Sequence, residues 1–215
     1  MKLFLLASVL FLHLVAAMPT PVLPPHSCTT ITPKSLTALD NSSPDLPFPQ
    51  GLFAGSSSLM IMHNNINATN PTHSLQLIEF AIPQTTSGAT GACQLQITDP
   101  ACSLTFTDSN DYAIPSPVQL KAISLHAITT GNNISYNDIF SAEPSLVSSW
   151  DFGDAVMSAG DTASISNSEG CEGSVWYVLD YEDVADGGYS EWSMFQQDED
   201  EASGMELNGV YLTYC

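Results

Sequence analysis

From Leu59 onward the chain alternates apolar and polar residues in short runs closed by Gly, Pro, Asn or Ser. Side chains of a strand point to opposite faces in turn, so this period of two marks half-buried strands. Cys93, Leu95 and Ile97 alternating with Gln94, Gln96 and Thr98 form the cleanest case. Leu59-Met60-Ile61-Met62 opens a run that ends at Asn64-Asn65. Leu75 to Ile82 follows, with Leu75, Leu77 and Glu79 on one face and Ile78, Phe80 and Ile82 on the other. Leu104 and Phe106 continue after a turn at Pro100, and Val118 to Ile128 reads as a longer strand. Val175-Trp176-Tyr177-Val178-Leu179 is almost continuously apolar, which predicts a central strand covered on both faces. Val210, Leu212 and Tyr214 alternate to the chain end. A short helix is expected at Ser35 to Asp40, with Pro33 near its start. No longer stretch keeps helical spacing. Roughly seven to ten short strands between turn signals predict an all-β fold: a single antiparallel β-sandwich, jelly-roll-like and stabilised by disulfides.

The first residues stand apart. Met1-Lys2 precedes an apolar run, Leu3 to Val15, broken only by Ser8 and His13, and Val15-Ala16-Ala17 supplies small residues for cleavage. This is the form of a secretory signal peptide over residues 1–17, and the run is shorter than the roughly 20 residues of a membrane span. Met18 to Ser27 carries four prolines and predicts a stiff spacer over 18–27. The β-sandwich domain then occupies 28–215. The ending Val210 to Cys215 is too short for a lipid-anchor tail, so a secreted or wall-associated protein without a membrane anchor is expected.

Charge narrows the function. The 215 residues hold 23 Asp+Glu, 3 Lys+Arg and no Arg, for a net charge of −20. Removing residues 1–17 takes one lysine and no acid. A nucleic-acid ligand is excluded, because phosphate binding needs a basic footprint. Disorder is excluded as well, since 9 Phe, 7 Tyr and 3 Trp supply a core. From Asp151 onward every formal charge is negative, concentrated in Asp180-Tyr181-Glu182-Asp183 with Asp186 and in Asp198-Glu199-Asp200-Glu201. An EF-hand loop started at Asp180 meets Val184 and Ala185 at its fifth and sixth positions; one started at Asp198 meets Ala202 and Ser203. Neither register binds calcium in that way, so solvated acidic loops are expected, with a weak, irregular calcium site as the alternative.

Five cysteines in an exported chain read as disulfide material. Cys28–Cys215 and Cys93–Cys171 are the expected pairs, with Cys102 as the leftover thiol; a local Cys93–Cys102 loop is the rival. Asn41, Asn67 and Asn133 head N-x-S/T triplets and are candidate glycosylation sites. There is no Cys-x-x-Cys, and His63, His73 and His126 stand apart in sequence, so neither a metal site nor a cofactor is expected. No Gly-x-Ser-x-Gly occurs, and Asp161-Thr162-Ala163 is a single, altered copy of a motif that works in pairs. No catalytic residue emerges.

Two resemblances bear on function. Glu172 to Glu182 is similar to a strand of the fungal glutamic peptidases, but Val175 stands where the catalytic Glu would be. A longer resemblance runs through three blocks in order: Cys28-Thr-Thr-Ile-Thr-Pro33 with Leu36 to Leu39 and Ser43 to Pro49; Phe80-Ala81-Ile82-Pro83 leading to Gly91-Ala92-Cys93-Gln94-Leu95; and Gly209 to Cys215. Together they resemble a fungal secreted family. It is named for the C-terminal domain of a binding partner of a ubiquitin-like-modifier activating enzyme, the But-two C-terminal domain. Cys102 and the acidic run Asp198 to Glu201 depart from it. The resemblance implies a fungal extracellular protein and brings no catalytic residues. The expected function is a binding or structural module for cell-wall polysaccharide or an extracellular protein, with Trp150, Trp176, Tyr177, Tyr189 and Trp192 as candidates to stack on sugars. The alternatives are an acid-active secreted hydrolase and an intracellular partner of the activating enzyme with Leu3 to Ala17 uncleaved.

Overall fold

A computed structural model describes residues 28–50, 57–66, 69–83, 92–108, 118–127, 134–140, 147–170, 173–181, 188–197 and 206–214. Its strands in chain order are β1 (Thr29–Ile31), β2 (Ser35–Asp40), β3 (Phe48–Gln50), β4 (Ser57–Asn64), β5 (Thr72–Ala81), β6 (Ala92–Thr98) and β7 (Thr105–Asp108). They continue with β8 (Val118–Ala127), β9 (Val147–Met157), β10 (Thr162–Gly170), β11 (Ser174–Tyr181), β12 (Tyr189–Gln196) and β13 (Gly209–Tyr214). One short helix, α1 (Tyr136–Phe140), precedes β9. The fold is all-β and antiparallel. A four-stranded sheet runs β1-β13-β6-β10; a nine-stranded sheet runs β7-β12-β4-β5-β11-β8-β9, with β2 and β3 attached through β5. The sheets curl into a half-barrel.

The period-two pattern maps onto these strands directly. β6 alternates buried and half-buried residues, with Leu95 and Ile97 fully buried. β11 is central, between β5 and β8, and Tyr177, Val178 and Leu179 are all buried. One core joins the two sheets: Leu95, Ile97, Ile165 and Leu212 pack in the same cluster as Leu36, Ile78, Phe80 and Trp192.

The helix expected at Ser35 to Asp40 is a strand instead. Leu36 and Leu39 are three apart, which suits a helix face, yet they have opposite parity in a strand. β2 pairs Leu36 with Ile78 and Leu39 with Leu75, and both leucines are fully buried. Cross-strand pairing and burial on both faces override a weak local preference.

Two glycines are required by close approach. β9 bulges against β8, where Ala122 faces Gly153 and Ile123 faces Asp151. Gly153 takes φ +146°, and a Cβ there would lie 2.7 Å from Ile165 Cγ2. At Gly209, φ is +123° and a Cβ would lie 2.4 Å from Gln196 Oε1. That oxygen accepts the Val210 N–H at 2.8 Å. Gly209→Ala therefore combines backbone strain with a displaced buried amide, and it is expected to cost about 2 kcal/mol in urea unfolding. A loss below about 0.5 kcal/mol would mean that Gln196 swings aside freely.

At the end of β6 a carboxylate is buried. Asp99 is 0% exposed. It accepts the Ser103 N–H and O–H, both at 2.7 Å, the Leu104 N–H at 3.0 Å and the Gly160 N–H at 3.1 Å. Ser103 Oγ in turn accepts from Asn208 Nδ2 at 3.0 Å and from the Phe195 N–H at 3.1 Å. This network ties the β6–β7 turn to the β9–β10 turn and to β12.

Candidate functional site

The site follows from how β5 uses its edges. The odd residues of β5 turn their amides and carbonyls toward β2: Lys34 N–H donates to Glu79 O at 2.7 Å, and Asn41 N–H donates to His73 O at 3.1 Å. The opposite edge is shared by two strands. β11 pairs with β5 from Ala81 down to Gln76, ending at Leu179. β4 takes over from Ser74, opposite Met62, to Thr72. The nine-stranded sheet forks there. The Gln76 side chain spans part of the gap, accepting the Met60 N–H at 3.4 Å; its Nε2 has no hydrogen-bond partner among the described residues.

Three side chains meet in the fork. His63 of β4 lies directly opposite His73 of β5. Because the His73 backbone bonds toward β2, this is a non-hydrogen-bonded pair, the kind whose side chains lie closest. Asp180 is the first β11 residue beyond its pairing with β5. His63 Nε2 lies 2.5 Å from His73 Nε2 and 2.8 Å from Asp180 Oδ1, and His73 Nε2 is 3.3 Å from the same oxygen. The side chains are 9% (His63), 20% (Asp180) and 28% (His73) exposed. The cluster is therefore partly open to solvent, most at His73.

Neighbouring residues hold these groups in place. The His63 ring stacks on Tyr181 at 4.4 Å between centroids, and the Tyr181 hydroxyl pairs with Ser190 Oγ at 2.7 Å. Asn41 clamps the His73 backbone, its Oδ1 accepting the His73 N–H at 2.9 Å and its Nδ2 donating to Pro71 O at 3.0 Å. Burial alone pushes the Asp180 carboxyl up. Hydrogen bonds from His63 and His73, and their charges, outweigh it together and bring it down to about 2. The Tyr136 phenol of α1 is raised by burial first, then by the charges of Asp180 and Asp40.

Chemically, two imidazoles and one carboxylate supply one ligand atom each, all within 4.8 Å of one another, and the set could hold a metal ion. The reading of His63 and His73 as isolated is corrected here: the β4–β5 pairing brings them together. The symmetry of a hairpin centred near residue 68 carried that signal. Asp180 could not have been found so, because its approach depends on where β11 leaves β5. The expectation of solvated acids also fails at Asp180, which is 20% exposed.

The other sequence-predicted residues do not converge on this site. Trp192 is 0% exposed and Tyr177 2%, so neither is a sugar platform; both anchor the core. Trp176 and Tyr189 are half-buried. Cys102 is a free, exposed thiol at the end of the Asp99 turn. The Asn41 amide is engaged at both ends, as above. The side chains of Trp150 and His126, and residues 1–27, Asn67, Asn133, Cys171, Glu172, 182–187, 198–205 and Cys215, lie outside what is described. No helix among the described residues is long and apolar enough to cross a membrane. No family model and no curated protein matches this chain.

Proposed function

We propose that this chain is an exported fungal β-sandwich that acts by binding, outside the cell or in its wall, and that its ligand site is the His63–His73–Asp180 fork. The observation that carries this reading is the convergence of three polar side chains from three strands, partly open to solvent. A sandwich is supported by the shared core, which draws Leu95 and Leu212 from one sheet and Ile78 and Val178 from the other. The pairing Cys28–Cys215 and Cys93–Cys171 belongs to the same reading. Cys28 and Cys93 carry no free thiol, Thr29 lies opposite Tyr214, and Gly170 lies opposite Ala92. Export rests on Leu3 to Ala17, and membership of the But-two family on the three sequence blocks.

The test uses protein recovered from culture medium. Its N-terminus should be Met18, insoluble wall polysaccharide should retain it, and neither that polysaccharide nor denatured protein should be turned over at roughly pH 3–5. Retention should drop for His73→Ala. Turnover of either material would establish the hydrolase instead. A cell-retained chain starting at Met1 would establish the intracellular partner. Retention that ignores His73→Ala would remove the fork as the ligand site.

A further inference from the structure

We propose that His63, His73 and Asp180 form a transition-metal site of the zinc class, with an open coordination position toward solvent. This inference rests on the fork being the ligand site, and not on export or on any wall ligand.

Proton accounting points to a metal. The three ligand atoms form a triangle with sides of 2.5, 2.8 and 3.3 Å. Each imidazole Nε2 is either a donor or an acceptor, never both. If His63 donates to Asp180, it cannot accept from His73. If His73 donates to His63, a lone pair on His63 faces the carboxylate oxygen. If both rings carry protons, two N–H groups oppose each other. With Asp180 ionised, every distribution of protons over the two rings leaves one close edge of the triangle repulsive, whereas a single cation bonds to all three atoms at once.

The dimensions also suit an ion. A point about 2.05 Å from all three atoms, the usual zinc–ligand distance, lies about 1.1 Å off their plane. Three ligands then occupy one face of the ion. Opening the two shorter edges by about 0.5–0.8 Å gives tetrahedral spacing. Two nitrogens and one oxygen suit zinc, cobalt, copper or ferrous iron, and not calcium, which takes six to eight oxygens. The ligands come from rigid strands: His73 is held by Asn41 and His63 by the Tyr181 ring. The 28% exposure of His73 leaves the free position facing water.

The experiment uses the mature, oxidised chain, stripped with chelator and titrated with Zn²⁺ and with Co²⁺ as the coloured probe. One ion per chain is expected, with visible cobalt bands of nitrogen and oxygen ligation and no thiolate charge-transfer band. His63→Ala and His73→Ala should each weaken zinc binding at least about tenfold, while Cys102→Ser and His126→Ala should not change it. Circular dichroism of each variant checks folding. Should either histidine variant unfold, the imidazole ¹⁵N shifts of the wild-type chain give the readout, and zinc must move those of His63 and His73. No binding up to about 1 mM zinc, a thiolate band that vanishes in Cys102→Ser, or zinc shifts confined to other residues would each overturn the site. A chain that takes up zinc but ignores wall polysaccharide would refute the wall-binding reading and leave the metal site standing.

Discussion

Asp99→Ala is expected to lower the unfolding free energy by about 3–5 kcal/mol, the largest loss from a polar substitution among the described residues. The carboxylate is fully buried and receives four hydrogen bonds, three of them from backbone amides. Hydrogen bonds to a charged group contribute about 1.5–3 kcal/mol each, and an abandoned buried donor costs about 1–3. Some of the freed donors will recover water at the turn, which keeps the total well below the sum. Asp99→Asn should recover only part, because an amide offers one acceptor oxygen to donors now shared between two. Urea unfolding followed by tryptophan fluorescence measures both variants, since Trp192 reports from the core. A loss for Asp99→Ala under about 1 kcal/mol would mean that the two turns are not coupled through this residue.

The second large effect is a pH dependence. The Asp180 carboxyl is brought down to about 2 in the folded protein, from an ordinary value of 3.8. A folded value below the unfolded one means that the ionised form favours folding. This contribution is complete above about pH 5 and is lost as the pH falls through 4 toward 2. A gap of nearly two units corresponds to about 2 kcal/mol. The difference in stability between the native chain and Asp180→Asn should therefore shrink by about that amount between pH 5 and pH 2. Denaturant unfolding at four pH values tests it. Parallel curves for the two proteins would show that the carboxylate does not bind the histidines in solution.

Much of the fold is legible in the sequence because strands are written locally. Cys93 to Thr98 announces its burial by parity and Val175 to Leu179 by its unbroken apolar run, and the structure places them as β6 and β11; Val210 to Tyr214 forms β13, where Tyr211 is buried beside Val210 and Leu212. Ser35 to Asp40 misleads because its two leucines fit either period, and only the β5 partner decides. The site is legible in halves. His63 and His73 stand at equal distances from the middle of a hairpin, so their meeting follows once β4 and β5 are paired. Asp180 is 107 positions from His73 and sits inside an acidic run that reads as solvated surface. Nothing near it in the chain distinguishes it from Glu182 or Asp183. Its burial is a property of the forked edge of β5, and edge sharing leaves no local trace.

The place of β13 between β1 and β6 has a consequence for biosynthesis. The opening strand of the described chain, Thr29–Ile31, pairs with Leu212 to Tyr214. β6 meets the same closing segment along its full length. Until that segment has left the ribosome, β1 has no partner and β6 presents bare amides and carbonyls along one side, a template for wrong pairing between nascent chains. The small sheet can therefore close only once Gly209–Tyr214 has emerged, and a chain cut before this strand would keep that open edge of β6 exposed.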